Sequence, residues 1–162
     1  MMCFINLPTV SLGEIKMPNH CLSNIELTGN QTILMHLAHG LEKEVFCQLI
    51  KPMPLEYNLG TKWYKWRCDN WGTKWEIYNI SNIEVSWNTD EIICPDDKAI
   101  ATLGFQCDSA WSPIIPVLEK LMEFDIRVSA YFCDECGNFE FEWEDGVETE
   151  IQRESKDDDW VL

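Results

Sequence analysis

The chain has 162 residues and a mass of 18.9 kDa, a length that suits one domain with a core of its own. Its 46% hydrophobic and 25% charged residues exclude the low-hydrophobicity composition of a disordered chain. Lys and Arg number 12 against 28 Asp and Glu, a formal net charge of −16 with a pI near 4.4. That balance excludes a generic duplex nucleic-acid binder, which needs a basic face to neutralise phosphates, and leaves proteins with basic surfaces as charged partners.

Residues 1–16 read as an extension ahead of the domain. They lack the basic start of a secretory signal, and Asn6 and Pro8 interrupt their apolar run. No stretch reaches the ~20 apolar residues of a membrane span, so no membrane partner and a cytoplasmic location are expected. From Met17-Pro18-Asn19 the sequence becomes patterned. Residues 21–28 alternate with the period of a strand, ended by Gly29-Asn30. Asn30 is placed to cap a helix whose apolar residues Ile33, Leu34, Leu37, Ala38 and Leu41 recur at helical spacing. The run 45–50 is predicted to be a short buried strand, stopped by Lys51-Pro52-Met53-Pro54.

Between Leu55 and Trp75 the pattern is lost. Tyr57, Trp63, Tyr64, Trp66, Trp71 and Trp75 stand there among Lys62, Lys65, Arg67 and Lys74, and with Asp69 and Glu76 positions 60–76 carry a local +2. Strands are predicted over 76–78, 80–87 and 99–107. Ser112 and Pro113 suit the N-cap and first position of a second helix, with Pro116 confining its regular part to Val117 onward. A strand over 126–132 follows. Phe139, Phe141 and Trp143 then alternate with Glu140, Glu142 and Glu144 in another, reached through a turn at Cys136-Gly137-Asn138. The order is β-α-β, an aromatic-rich insertion with strands, then β-α-β-β. It predicts an α+β domain over 17–148, a ferredoxin-like antiparallel sheet with two helices on one face, followed by an acidic C-terminal tail over 149–162.

Four segments carry a resemblance: Met17-Pro18-Asn19-His20-Cys21 with Asn24, then Asn70-Trp71-Gly72-Thr73-Lys74-Trp75, then Ala110-Trp111-Ser112-Pro113, and the terminal hairpin. Together, over about Met17 to Trp143, they resemble the YubB-type ferredoxin-like family of phage and plasmid accessory proteins. The chain departs from that pattern at His20, where an aromatic ring is expected, and at Cys133 and Cys136, two thiols in the last hairpin. The resemblance implies the fold and a mobile-element origin in a bacterial host, and no particular reaction.

Two constellations are candidates for binding. The first is Asn70, Trp71, Gly72, Thr73, Lys74 and Trp75 with Trp111, where indoles can stack on bases or grip an apolar anchor while Lys74 meets an anion or an indole face; the same rings also suit a core. The second is the acidic C-terminal stretch. Positions 140–162 hold ten acids, among them Glu140, Glu142, Glu144, Asp157, Asp158 and Asp159, against Arg153 and Lys156, a net −8. Such a concentration imitates a phosphate backbone and steers association with a basic groove, or it is a solvated sheet face and tail.

Catalytic strings are missing: there is no phosphate-cradling glycine loop, HExxH or GxSxG. Cys133 and Cys136 form one CxxC without the second half of a zinc site, and His36 and His39 lie one helical turn apart with no partner identifiable by spacing. The eight cysteines are scattered, as expected of reduced thiols. No cofactor, metal or catalytic residue is expected. The expected function is binding: an accessory protein that inhibits or modulates a nucleic-acid-handling or defence protein of the host through an acidic face. The alternative is a small-ligand or single-stranded nucleic-acid module using the 71–75 block.

Overall fold

The computed structural model describes residues 19–87 and 99–151. β1 (His20–Asn30) leads directly into α1 (Gln31–Glu42), whose first turn is capped by the Asn30 side chain accepting from the Ile33 N–H at 3.2 Å. A second helix, α2 (Phe46–Ile50), follows, then a 3-10 turn (Leu55–Asn58) and α3 (Lys62–Trp71). β2 (Tyr78–Trp87), β3 (Ile100–Ala110), α4 (Ile115–Met122), β4 (Arg127–Asp134), β5 (Glu140–Glu144) and β6 (Val147–Glu150) complete the described chain.

The six strands form one antiparallel sheet in the order β2-β3-β1-β4-β5-β6. β1 and β2 therefore run in the same direction with β3 between them, and β3 and β4 run together with β1 between them. The α+β class and the antiparallel sheet are as the sequence predicts. Alternation along each strand puts one set of side chains under the helices: Ile25 and Leu27, Leu103 and Phe105, Val128 and Phe132, Phe141 and Trp143. Leu34, Leu37 and Leu41 of α1 and Val117, Leu118 and Leu121 of α4 close over them in one cluster, each buried side chain stabilising the fold by ~1.5–3 kcal/mol.

Several expectations are corrected here. The run 45–50 is helix, not strand: Glu76 accepts from the N–H of Cys47 at 2.6 Å and of Gln48 at 3.1 Å, so a carboxylate 28 and more residues downstream caps α2. The aromatic-rich insertion folds as the 3-10 turn and α3, and its Trp71 enters the same core as Phe46 and Cys47 of α2. Ser112 does not cap α4; that position falls to Ile114, with Pro116 in the first turn. Finally, Asp145-Gly146 (φ 45° and 92°) makes a tight turn into β6, so the sheet extends to Glu150 and takes in the first residues assigned to the tail.

Candidate functional site

The two tryptophan strings singled out in the sequence meet in space. At the end of α3, Gly72 adopts φ 80°, and a Cβ placed on it would lie 2.5 Å from the Pro113 carbonyl oxygen, so only glycine lets the two strings approach this closely. The Ser112 hydroxyl donates to the Gly72 carbonyl. Thr73, almost wholly buried, uses its hydroxyl as a strand neighbour would: it donates to the Ala110 carbonyl at 3.0 Å and accepts from the Ala110 N–H at 3.1 Å. Asn70 donates back to the Trp66 carbonyl at 2.8 Å within α3.

The indoles divide into two kinds. Trp71 is 1% exposed and donates from Nε1 to the Lys51 carbonyl at 2.8 Å, with the Arg67 guanidinium 4.7 Å from its ring. It belongs to the core. Trp75 and Trp111 are 40% and 46% exposed, and the Lys74 ammonium sits between them, 4.0 and 3.8 Å from their ring centres, a double cation-π contact. Trp111 reaches this position in a left-handed conformation, φ 73°, unusual for a bulky residue. Its N–H donates to the Asn19 carbonyl at 2.9 Å, and the Ser109 hydroxyl donates to the Ser112 carbonyl at 2.7 Å, fixing the turn.

This corner continues onto the sheet face that no helix among the described residues covers. Tyr78 packs edge-on to Trp75, and its hydroxyl lies 3.0 Å from His20 Nδ1; Asp108 Oδ2 lies 3.7 Å from the same nitrogen and accepts from Asn79 at 2.7 Å. Burial first and Asp108 next push the Tyr78 phenol above its ordinary value. From there the pairing registers give the open face in rows. One row runs Tyr78, Asp108, Leu22, Cys133, Glu140; the next Ser81, Gln106, Asn24, Tyr131, Glu142; the next Glu84, Gly104, Glu26, Ser129, Glu144.

Among the described residues six carboxylates thus share the open face, Glu26, Glu84, Asp108, Glu140, Glu142 and Glu144, against one guanidinium, Arg127. Along β5 the glutamates recur every ~6.8 Å on one side of a paired, rigid strand. The Tyr131 hydroxyl donates to Glu140 Oε1 at 2.7 Å, which orients that carboxylate and holds the phenol's pKa up. Small residues beside Glu26, namely Gly104 and Ser129, leave a shallow depression around it. The alternation of residues 21–28 already put Glu26 and Asn24 on one face; the pairing that sets Glu26 in line with Glu84 and Glu144 is not written in any one segment.

Asp157, Asp158 and Asp159, the other acidic candidates, lie outside the described residues, as does Cys94. Cys133 faces the open sheet and Cys136 sits exposed in the following turn, which Asp134 organises by accepting from the Cys136 and Asn138 N–H groups at 3.2 Å each. Among the described residues no group of three or more His, Cys, Asp or Glu is placed to hold a metal ion, and no helix is long and apolar enough to cross a membrane. His36 and His39 are exposed on α1. No family model, curated protein or solved structure matches this chain.

Proposed function

We propose that this protein acts by binding, as a phage or plasmid accessory protein that inhibits or modulates a nucleic-acid-handling or defence protein in the cytoplasm of a bacterial host. Its open sheet face is the surface used. The observation that carries this reading is the set of aligned carboxylates on the face of the sheet that the described helices do not cover. A regular line of negative charge on a rigid strand offers a basic groove what a phosphate backbone offers it, and long-range attraction accelerates the encounter. Support for the ferredoxin-like assignment comes from the order β2-β3-β1-β4 with its two split β-α-β crossings; β5 and β6 extend that unit, and β5 adds Glu140, Glu142 and Glu144 to the acidic face. The resemblance of the tryptophan strings to the YubB-type family supplies the mobile-element context.

The test is kinetic. With a basic partner captured from host extract, replacing Glu140, Glu142 and Glu144 by Gln should slow association severalfold without unfolding the protein. The deficit should vanish near 1 M salt, where the Debye length is about 3 Å. Association that is indifferent both to salt and to these replacements excludes the acidic face as the docking surface.

A second reading has one observation in its favour: Trp75 and Trp111 stand half-exposed around Lys74, as a platform for a small ligand or a single-stranded base would. A ligand there would change tryptophan fluorescence, be lost in Trp75→Ala and Trp111→Ala, and ignore the glutamates of β5.

A further inference from the structure

Opposite the acidic sheet, α1, α2 and the end of α4 enclose a groove of about 450 Å³, within the size range of functional pockets. Its walls are Leu37, Leu49, Ile50, Leu121 and Phe124, and its bed is close because Gly40 lets α2 lie against α1: a Cβ there would meet Leu49 Cδ2 at 2.8 Å. Its outer lip is wet apolar surface, with Val45, Leu49 and Phe124 42%, 49% and 52% exposed. In a chain of net charge −16, the polar residues lining this groove among the described residues are His36, His39 and Lys43, with no acid among them. The nearest carboxylate on the helix, Glu42, lies outside the lining and is engaged with His39 at 3.5 Å.

The spread of those three side chains identifies the occupant. His36 to Lys43 covers ~10 Å of helix, further than a single acyl carboxylate can reach while its body fills the groove, and the open lip calls for a partner that brings its own cover. A second copy of this chain has no suitable element among the described residues: α1 and α4 bury their apolar stripes in the core, and α3 presents Lys62 and Lys65. We propose that this groove is a docking site for an amphipathic helix of another protein, one carrying carboxylates beside its apolar stripe. The apolar stripe lies between α1 and α4 as in helix-in-groove recognition, and the carboxylates run along His36, His39 and Lys43. This site is independent of the acidic sheet face on the other side.

The experiment is selection from a displayed library of 18-residue helical peptides, apolar at positions i, i+3 and i+7 and randomised elsewhere, on the full chain with counter-selection on Leu49→Glu. The expected winners carry Asp or Glu beside the apolar stripe. As synthetic peptides they should bind the native protein at least tenfold more tightly than Leu49→Glu, and severalfold more tightly than Lys43→Glu, the latter difference shrinking at high salt. Both substitutions are at exposed positions, and unchanged circular dichroism and melting will separate lost binding from lost folding. Any of three results overturns the proposal: no peptide that discriminates against Leu49→Glu, winners that are neutral or basic beside the stripe, or a concentration-dependent dimer of the native chain that Leu49→Glu abolishes. Displacement of every winner by equimolar dodecanoate would equally overturn it, in favour of a lipid-like anion.

Discussion

At the residue scale the tryptophan string turns out to be mostly architecture. Trp71 fills the core and satisfies the Lys51 carbonyl, so Trp71→Ala should cost about 3–5 kcal/mol in urea unfolding, whereas Trp75→Ala, at a half-exposed ring, should stay within about 1 kcal/mol. Gly72→Ala meets both a positive φ and the Pro113 carbonyl and should lose more than the ~1–2 kcal/mol of the left-handed conformation alone. The thiols give a second residue-scale test. Burial pushes Cys21 up to about 11 and raises Cys47 and Cys107 as well. A raised thiol pKa favours the neutral, folded form, so this stabilisation is complete below the ordinary thiol value near 9 and is lost as the pH climbs towards 11 and beyond. Melting temperature should hold between pH 7 and 9 and fall above, less steeply in Cys107→Ala relative to its own neutral-pH value. Iodoacetamide should modify exposed Cys136 first and reach Cys21, Cys47 and Cys107 only on unfolding.

At the element scale, the difference between α1 and α2 is where each finds its cap. α1 takes its cap from Asn30, the residue immediately before it, and its apolar spacing and cap are legible together. The six residues 45–50 are too few to show a helical period, and their apolar content reads equally as a buried strand. What makes α2 a helix is Glu76, brought to its first N–H groups by the fold. Glu76→Ala should therefore cost about 1–3 kcal/mol, the range for orphaning buried donors from a charged acceptor, and hydrogen exchange at Cys47 and Gln48 should accelerate more than elsewhere in the core. The sheet's edges are protected in different ways. β2 is broken by two irregularities at Asn79 and Asn82, both at positive φ with side chains bonded across to Asp108 and Gln106, and β6 is short and exposed, with two glutamates.

At the scale of the whole molecule the described carboxylates of the open sheet face stand in register across the strands. Glu26 has Glu84 and Glu144 two strands away on either side in the same row, about 10 Å given the strand spacing. That is comparable to the Debye length of ~10 Å at 0.1 M salt and well beyond the ~3 Å at 1 M, so the mutual repulsion is felt at low ionic strength and screened at high. Melting temperature should rise between 10 mM and 1 M NaCl, and the rise should be smaller in Glu26→Gln, which removes the central charge of the row. A rise of the same size in both proteins would place the repulsion elsewhere in the chain.

The strands β1 to β5, the first helix and the turn before β5 could be read locally, because each is specified by alternation, helical spacing or a cap within a few residues of itself, whereas β6 carries no such signal. The acidic character of Glu140, Glu142 and Glu144 was equally visible, since a period of two along one strand is enough to put them on one face. Tertiary structure alone decided that Glu26 and Glu84 join them, that Lys74 is held by the Trp111 indole 37 residues away, and that Glu76 turns an expected strand into a helix. Each of these depends on pairing between distant segments, and neither side chain of such a pair carries a local signal of the other.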